Sequence, residues 1–277
     1  MSTISEYTLT VHSFDGYPLS CRVFQPEKGN GRTIFCLHGV QSHSGWYLES
    51  SRILARAGFR VLFPDRRGSG RNTAARGDLA SWKHLILDIE QVLKEFSCPA
   101  HVSILAISWS GKLAPLLAAK QYPWLDKMVL VTPGIIPQVC PGVMSKLRTA
   151  IGMLTTPSKP ALPVPIPGPD YFTGSPYYQS FIDNDADTLR TCTPRFFLQT
   201  RALDTLCKKA LPVPDVPALM LLAVNDRIID NNGTIRYFSR VFPHPGSVIK
   251  EYPLCEHTLE FDNRSFEFIN DIISFLG

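Results

Sequence analysis

An apolar run at 102–107 passes straight into Ser108-Trp109-Ser110-Gly111-Lys112, where a helical stretch begins. A serine on so sharp a strand-to-helix turn holds its hydroxyl above the sheet. The next backbone N–H then lies at the helix's positive end, where an oxyanion is stabilised. Side chains two residues to either side would collide in such a turn, so both must be small, and the chain supplies Ala106 and Ser110. By itself the pattern also fits a serine that only caps a helix.

A serine hydroxyl is too weak an acid to attack a carbonyl unaided. It needs a neutral imidazole to take its proton, and a carboxylate to fix the imidazole's tautomer and stabilise the imidazolium. Two later segments offer these groups. Asp226 follows the apolar run 218–224, and His257 lies in the loop between the last predicted strand, 248–252, and the last predicted helix, 264–275. Asp230 is a rival acid, but it lies further from the strand end and is placed to cap the next helix. The bland readings are a turn aspartate for Asp226 and a surface-loop histidine for His257. The other candidate bases fit less well: His12 and His101 border early strands, His84 falls in a predicted helix, and His244 sits between two prolines. The order Ser108, Asp226, His257 suits acyl transfer through an acyl-serine.

Such groups need a sheet to hold them. Alternating segments at 7–11 and 19–24 flank Asp15-Gly16, which predicts an antiparallel hairpin. Near-continuous apolar runs at 33–37, 61–63, 102–107, 128–131 and 218–224 read as parallel strands buried on both faces. Between them, 47–57, 80–96, 112–121 and 234–242 are apolar at helical spacing. The alternation predicts a doubly wound α/β sheet made of 1–132 and 214–277. From 133 to 213 it breaks, and prolines are dense. A structureless loop of that length is uncommon in a compact domain, so the segment reads as an inserted cap with helices near 143–154 and 195–209. Its Ile151, Met153, Leu154, Tyr171, Phe172, Tyr177, Tyr178, Phe181, Phe196 and Phe197 offer either an acyl pocket or plain packing.

The 277 residues are 44% hydrophobic and 19% charged, ample for a core. A net charge of +4 from scattered basic residues excludes a nucleic-acid stripe. No apolar run approaches the ~20 residues of a transmembrane segment, and the polar start lacks the order of a signal peptide. Seven widely spaced cysteines without a C-x-x-C pair predict reduced thiols and a cytoplasmic protein. No metal-ligand spacing, G-x-G-x-x-G or P-loop occurs, so neither a metal nor another cofactor is expected. Oligomeric state is left open.

His38-Gly39-Val40-Gln41-Ser42-His43-Ser44-Gly45-Trp46-Tyr47 and Asp65-Arg66-Arg67-Gly68-Ser69-Gly70-Arg71-Asn72 complete a set of ordered segments. With them the chain resembles the α/β-hydrolase superfamily, and within it the monoacylglycerol lipase and lysophospholipase (serine aminopeptidase-like) branch. That branch carries HG-x-x-x-HSG-x-Y and D-x-R-G-x-G-x-S stretches. Three departures are Ala106 and Ser110 for glycines and Asn72 for a serine. The resemblance implies a mostly parallel eight-stranded sheet flanked by helices, with the cap inserted. It further implies Ser108 as nucleophile, Asp226 as acid, His257 as base, and an oxyanion hole made of the Val40 and Trp109 N–H groups. His38 would order the oxyanion loop. The expected partner is a small-molecule ester of short to medium acyl length. A thioesterase, lactonase, amidase, C–C hydrolase or acyltransferase on the same triad, or a non-catalytic binding protein, stays open.

Overall fold

The computed structural model describes residues 3–97, 99–160, 162–262 and 265–277. In chain order it runs β1 (Ile4–His12), β2 (Pro18–Pro26), β3 (Thr33–Leu37), α1 (Leu48–Arg56), β4 (Arg60–Pro64) and α2 (Trp82–Glu95). There follow β5 (Val102–Ile107), α3 (Ala114–Ala118), β6 (Leu125–Val131), α4 (Val143–Thr155), β7 (Leu162–Pro163) and α5 (Pro176–Asn184). The chain closes with β8 (Thr191–Cys192), α6 (Pro194–Lys208), β9 (Ala218–Ala223), α7 (Asn231–Val241), β10 (Val248–Tyr252) and α8 (Ser265–Leu276).

Among the described residues, eight strands form one sheet in the order β1-β2-β4-β3-β5-β6-β9-β10. The expected hairpin is there, with Tyr7 opposite Val23 and Gly16 at φ +77°, a left-handed position that a side chain resists. β2 meets β4 antiparallel, and every pairing from β4 to β10 is parallel. This is the α/β-hydrolase arrangement that the alternation of apolar runs and amphipathic stretches implied. β5 and β9 are buried at every residue, as strands covered by helices on both faces must be. α2 shows the matching helical logic: Leu85, Ile86, Ile89, Val92 and Leu93 turn inward at spacings of three and four.

The structure differs from the sequence reading in three places. The stretch predicted as a helix over 112–121 is a tight 3₁₀ turn at Ser108–Leu113 followed by only five α-helical residues. Between β6 and β9, α4 and α6 lie where expected, but α5 and the two-residue β7–β8 ladder were not predicted. Pro176 opens α5, where a missing N–H costs nothing. The proposed acyl-pocket residues also part company. Leu154 is 89% exposed, Ile151 and Tyr177 are exposed as well, and Phe181 packs edge-on against Trp46 and Phe261. Of that set, Phe196 and Phe197 line the cavity beside Ser108, and Phe172 lines a narrower space that also reaches Ser108.

Polar ties fasten this excursion to the sheet. Asp78 accepts from Arg195 Nε at 3.0 Å and from Thr193 Oγ1 at 2.8 Å, and Arg76 donates to the Asp187 carbonyl at 2.9 Å. Cys21, Cys36, Cys192, Cys207 and Cys255 are buried cysteines outside any disulfide, and Cys140 is an exposed one. Cys98 and the predicted start of the last helix at 264 lie outside the described residues. Among the described residues, no helix is long and apolar enough to cross a membrane.

Candidate active site

Ser108 follows the last residue of β5 and has φ +51°. A side chain in the left-handed region costs roughly 1–2 kcal/mol, so neighbouring contacts must hold it there. Gly134, just past β6, supplies one by donating its N–H to the Ser108 carbonyl at 2.7 Å. The approach is so close that a Cβ at 134 would sit 3.2 Å from the Ser108 carbonyl carbon and from the Trp109 nitrogen. Ser110 adds another tie, its hydroxyl donating to the His38 carbonyl. The atom by which Ser110 exceeds glycine is thus used to join the turn to the loop after β3.

The Ser108 hydroxyl meets His257 Nε2 at 2.8 Å, and His257 Nδ1 meets Asp226 Oδ2 at 2.7 Å. The three expected residues therefore converge from the ends of β5, β9 and β10. A buried carboxylate beside Nδ1 fixes the proton there, which leaves Nε2 free to accept from the serine. Asp226 is itself held: its Oδ1 accepts from the N–H groups of Ile228 at 2.8 Å and Ile229 at 3.1 Å. Asp230 does what its spacing suggested, capping α7 through Gly233 N–H at 2.9 Å. Thr132 was missed. It is wholly buried at φ +40°, a marked outlier for a β-branched residue, and its hydroxyl donates to the His257 carbonyl at 2.9 Å. Neither Thr132 nor Gly134 carries a sequence signal, because each contact spans a fold the local pattern does not show.

The loop after β3 is built around a neutral histidine. His38 Nδ1 donates to the Gly39 carbonyl at 2.8 Å, and its Nε2 accepts from Arg66 N–H at 2.8 Å. Burial, reinforced by the Arg66 charge, pushes the ring's pKa down to about 3, so this single tautomer persists. The loop's next turn is closed by Gly39 N–H donating to Ser42 Oγ at 2.9 Å. Among the described residues, the N–H groups of Val40 and Trp109 have no hydrogen-bond acceptor, and both residues line the space beside Ser108. Asn72, the departure from the family's serine, gives Nδ2 to the Asp65 carbonyl at 2.6 Å and takes Ser20 N–H on Oδ1 at 2.8 Å. Asp65 in turn accepts from Ser44 N–H at 2.7 Å and Arg71 N–H at 2.9 Å.

Arg66 lies half-buried over the rings of Trp109 (4.7 Å) and Phe196 (5.1 Å) and donates to the Val40 carbonyl at 2.9 Å. Burial pulls its pKa down to about 10, still high enough to keep the charge beside the candidate oxyanion hole. The expectation of no metal-ligand set rested on sequence spacing, and the fold does bring His43, Asp185 and Asp187 within 4.8 Å. Their hydrogen bonds account for that proximity. His43 Nδ1 accepts from Gly45 N–H at 3.1 Å, so Nε2 donates to Asp185 Oδ2 at 2.7 Å, and Trp46 Nε1 donates to the same oxygen at 2.8 Å. Burial raises the Asp185 pKa, but the His43 and Trp46 donors outweigh it and hold the carboxyl below its usual range.

The cavity beside Ser108 holds about 140 Å³, with Val164, Ile166, Phe196, Phe197 and Ile228 on its wall. A second, narrower space of about 10 Å³ lies between Gly39, Phe172 and His257 and shares Val40 and Ser108 with the first.

Glu260, three residues after His257, is buried with Oε2 unpartnered, while Oε1 accepts from Ser50 N–H at 3.0 Å. Burial pushes its pKa up to about 7, against the Ser50 donors that lower it. The folded chain therefore holds this proton where the unfolded chain has lost it, and stability falls as pH rises from about 4.5 to about 7. Glu260→Gln keeps the acceptor for Ser50 and removes the charge. It is expected to gain on the order of 3 kcal/mol over wild type at about pH 8 and little near pH 4. Urea unfolding at the two pH values measures this; a gain equal at both would show that ionisation of Glu260 is not the cause.

Comparison with known proteins gives the chain its family. The model of the family described as serine aminopeptidase, S33, matches residues 30–264. The monoglyceride lipase of Rattus norvegicus is 23% identical over 273 residues, covering 94% of this chain and 88% of its own. The crystal structure of Paleococcus ferrophilus monoacylglycerol lipase superposes with a TM-score of 0.80 at 19% identity, over 98% of both chains. A soluble variant of the Saccharomyces cerevisiae monoglyceride lipase gives 0.83 at 14% identity, over 99% of this chain and 94% of that one. With the family model matched from β3 to the start of the last helix, the chain belongs to the serine aminopeptidase S33 family of α/β-hydrolases.

Proposed function

We propose that the protein is a carboxylic ester hydrolase in which Ser108 is the nucleophile, His257 the general base and acid, and Asp226 the carboxylate that orients the imidazole. The observation that carries this is the continuous hydrogen-bonded line from Ser108 Oγ through His257 to Asp226, at 2.8 Å and 2.7 Å. Ser108 Oγ attacks the ester carbonyl while its proton passes to His257 Nε2. The negative oxygen is taken by the N–H groups of Val40 and Trp109, and no reorganisation is needed because the loop is already fixed by His38. His257 then protonates the leaving alcohol, and an acyl-Ser108 remains. A water molecule, deprotonated by the same nitrogen, releases the acid and restores the serine.

On this reading 1–132 and 214–277 form the catalytic core, and 133–213 is a cap whose α6 closes the acyl cavity. The monoglyceride lipase relatives support an ester substrate, and a 140 Å³ cavity suits a short to medium acyl chain. Among the described residues six cysteines stand outside any disulfide, five of them buried, which supports a reducing compartment, the cytoplasm. A panel of p-nitrophenyl esters from acetate to decanoate tests the assignment. Turnover well above a Ser108→Ala control supports it. Turnover of acyl thioesters alone moves the assignment to a thioesterase, and no turnover with no labelling by a fluorophosphonate removes it.

A further inference from the structure

One stretch of the cavity wall beside Ser108 is charged. Lys112, one turn after Ser108 on the same short helix, ion-pairs with Asp204 of α6, and both residues line the cavity. The Lys112 side chain is only 4% exposed and that of Asp204 32%. Thr200, one turn before Asp204, lines the cavity too, and its hydroxyl accepts from the Trp109 indole at 3.3 Å. Joining α6 to the core does not require this pair. Apolar residues of similar volume hold two elements together as well as a buried ion pair does, or better. Lys112 also has donors to spare: an ammonium carries three N–H bonds, and Asp204 is its one side-chain acceptor among the described residues.

The side of the scissile bond served by this cavity follows from its neighbours. Ser108 and Val40 line both spaces, but Trp109 lines this cavity alone and His257 lines the narrower space alone. The leaving alcohol must stand beside His257, which protonates it, so the larger cavity takes the acyl group. A plain hydrocarbon end would cover the ion pair without bonding to it. A carboxylate end would face the charge of Asp204. A hydroxyl meets both partners, accepting from Lys112 Nζ and donating to an Asp204 oxygen.

We propose that the acyl group of the preferred substrate carries a hydroxyl, bound by Lys112 and Asp204 as a polar subsite in an otherwise apolar pocket. This rests on the assignment of Ser108 as the acylated residue, which sets where the chain enters.

The experiment uses ethyl esters of straight acids from butanoate to octanoate, each bearing a hydroxyl on its last carbon. Each is paired with the alkyl ester in which a methyl replaces that hydroxyl. Affinities are measured by calorimetry on Ser108→Ala protein, and kcat/KM on wild type. At the length that reaches Lys112, the hydroxy ester is expected to be favoured about tenfold in both. Lys112→Met combined with Asp204→Leu, an apolar exchange of the whole pair, is expected to reverse the order while its unfolding temperature holds or rises. Asp204→Asn, which keeps a hydrogen-bonding group, is expected to retain the preference. Alkyl esters favoured at every length, or a preference that survives the double exchange, would overturn the proposal. If no ester is hydrolysed and a fluorophosphonate leaves Ser108 unlabelled, the hydrolase assignment fails instead. The calorimetric pairs then decide the subsite separately, and equal affinities overturn it.

Discussion

Ser108→Ala is expected to lower kcat by about a million-fold while leaving substrate affinity and the unfolding transition near their wild-type values. The size of the effect follows from what the substitution removes. The Oγ that meets His257 at 2.8 Å is the only atom lost, and with it go the nucleophile and the acceptor for the acyl group. The cavity wall, the loop fixed by His38 and the free N–H groups of Val40 and Trp109 all stay. The residual rate should therefore remain above that of free water, because an oxyanion hole and a binding pocket still act when the triad does not. Initial rates on the best p-nitrophenyl ester, with affinity from calorimetry, give the comparison. A variant within tenfold of wild type would mean that another group performs the attack.

Asp226→Asn should cost about ten-thousandfold in kcat with little change in fold, and the surrounding contacts explain why. Oδ1 of Asp226 is already committed to the N–H groups of Ile228 and Ile229. An asparagine must keep its carbonyl oxygen there, which turns its NH₂ toward His257 Nδ1. That nitrogen then has to accept, the ring proton moves to Nε2, and the serine loses its base. The neighbouring Asp230→Asn is the internal control. It alters only the cap of α7, where asparagine serves as well as aspartate, so activity should be unchanged. If the two substitutions had equal effects on kcat, the acid would have been assigned to the wrong residue.

Much of this was legible because it is local. β3 and β5 begin and end where the apolar runs do, β10 matches the predicted last strand, and Asp226 and His257 stand just past strand ends that the pattern marks. The hairpin was legible in Asp15-Gly16, since few other dipeptides take a left-handed turn so readily. What escaped depends on contacts that no window contains. Thr132 reaches the His257 carbonyl, and Gly134 lies against the Ser108–Trp109 peptide, but both sit in a Thr-Pro-Gly stretch that reads as an ordinary loop. The stretch after Ser108 was read as one long helix because its apolar spacing is helical. The left-handed backbone at Ser108 instead starts it as a tighter 3₁₀ coil, and Ala114–Ala118 is all the α-helix that follows. In the cap the prolines obscured α5, although Pro176 is the residue that begins it.

The backbone at Ser108 has a consequence for how far this chain can be stabilised. At φ +51° the native geometry suits a residue with no Cβ, so glycine is what a search for robustness alone would choose there. The chain keeps a residue that its own fold disfavours, and hydrogen bonds from Gly134 and Ser110 on either flank hold the turn in shape. Selection for thermal endurance and selection for turnover therefore pull this one position in opposite directions, and any improved variant must find its extra stability elsewhere.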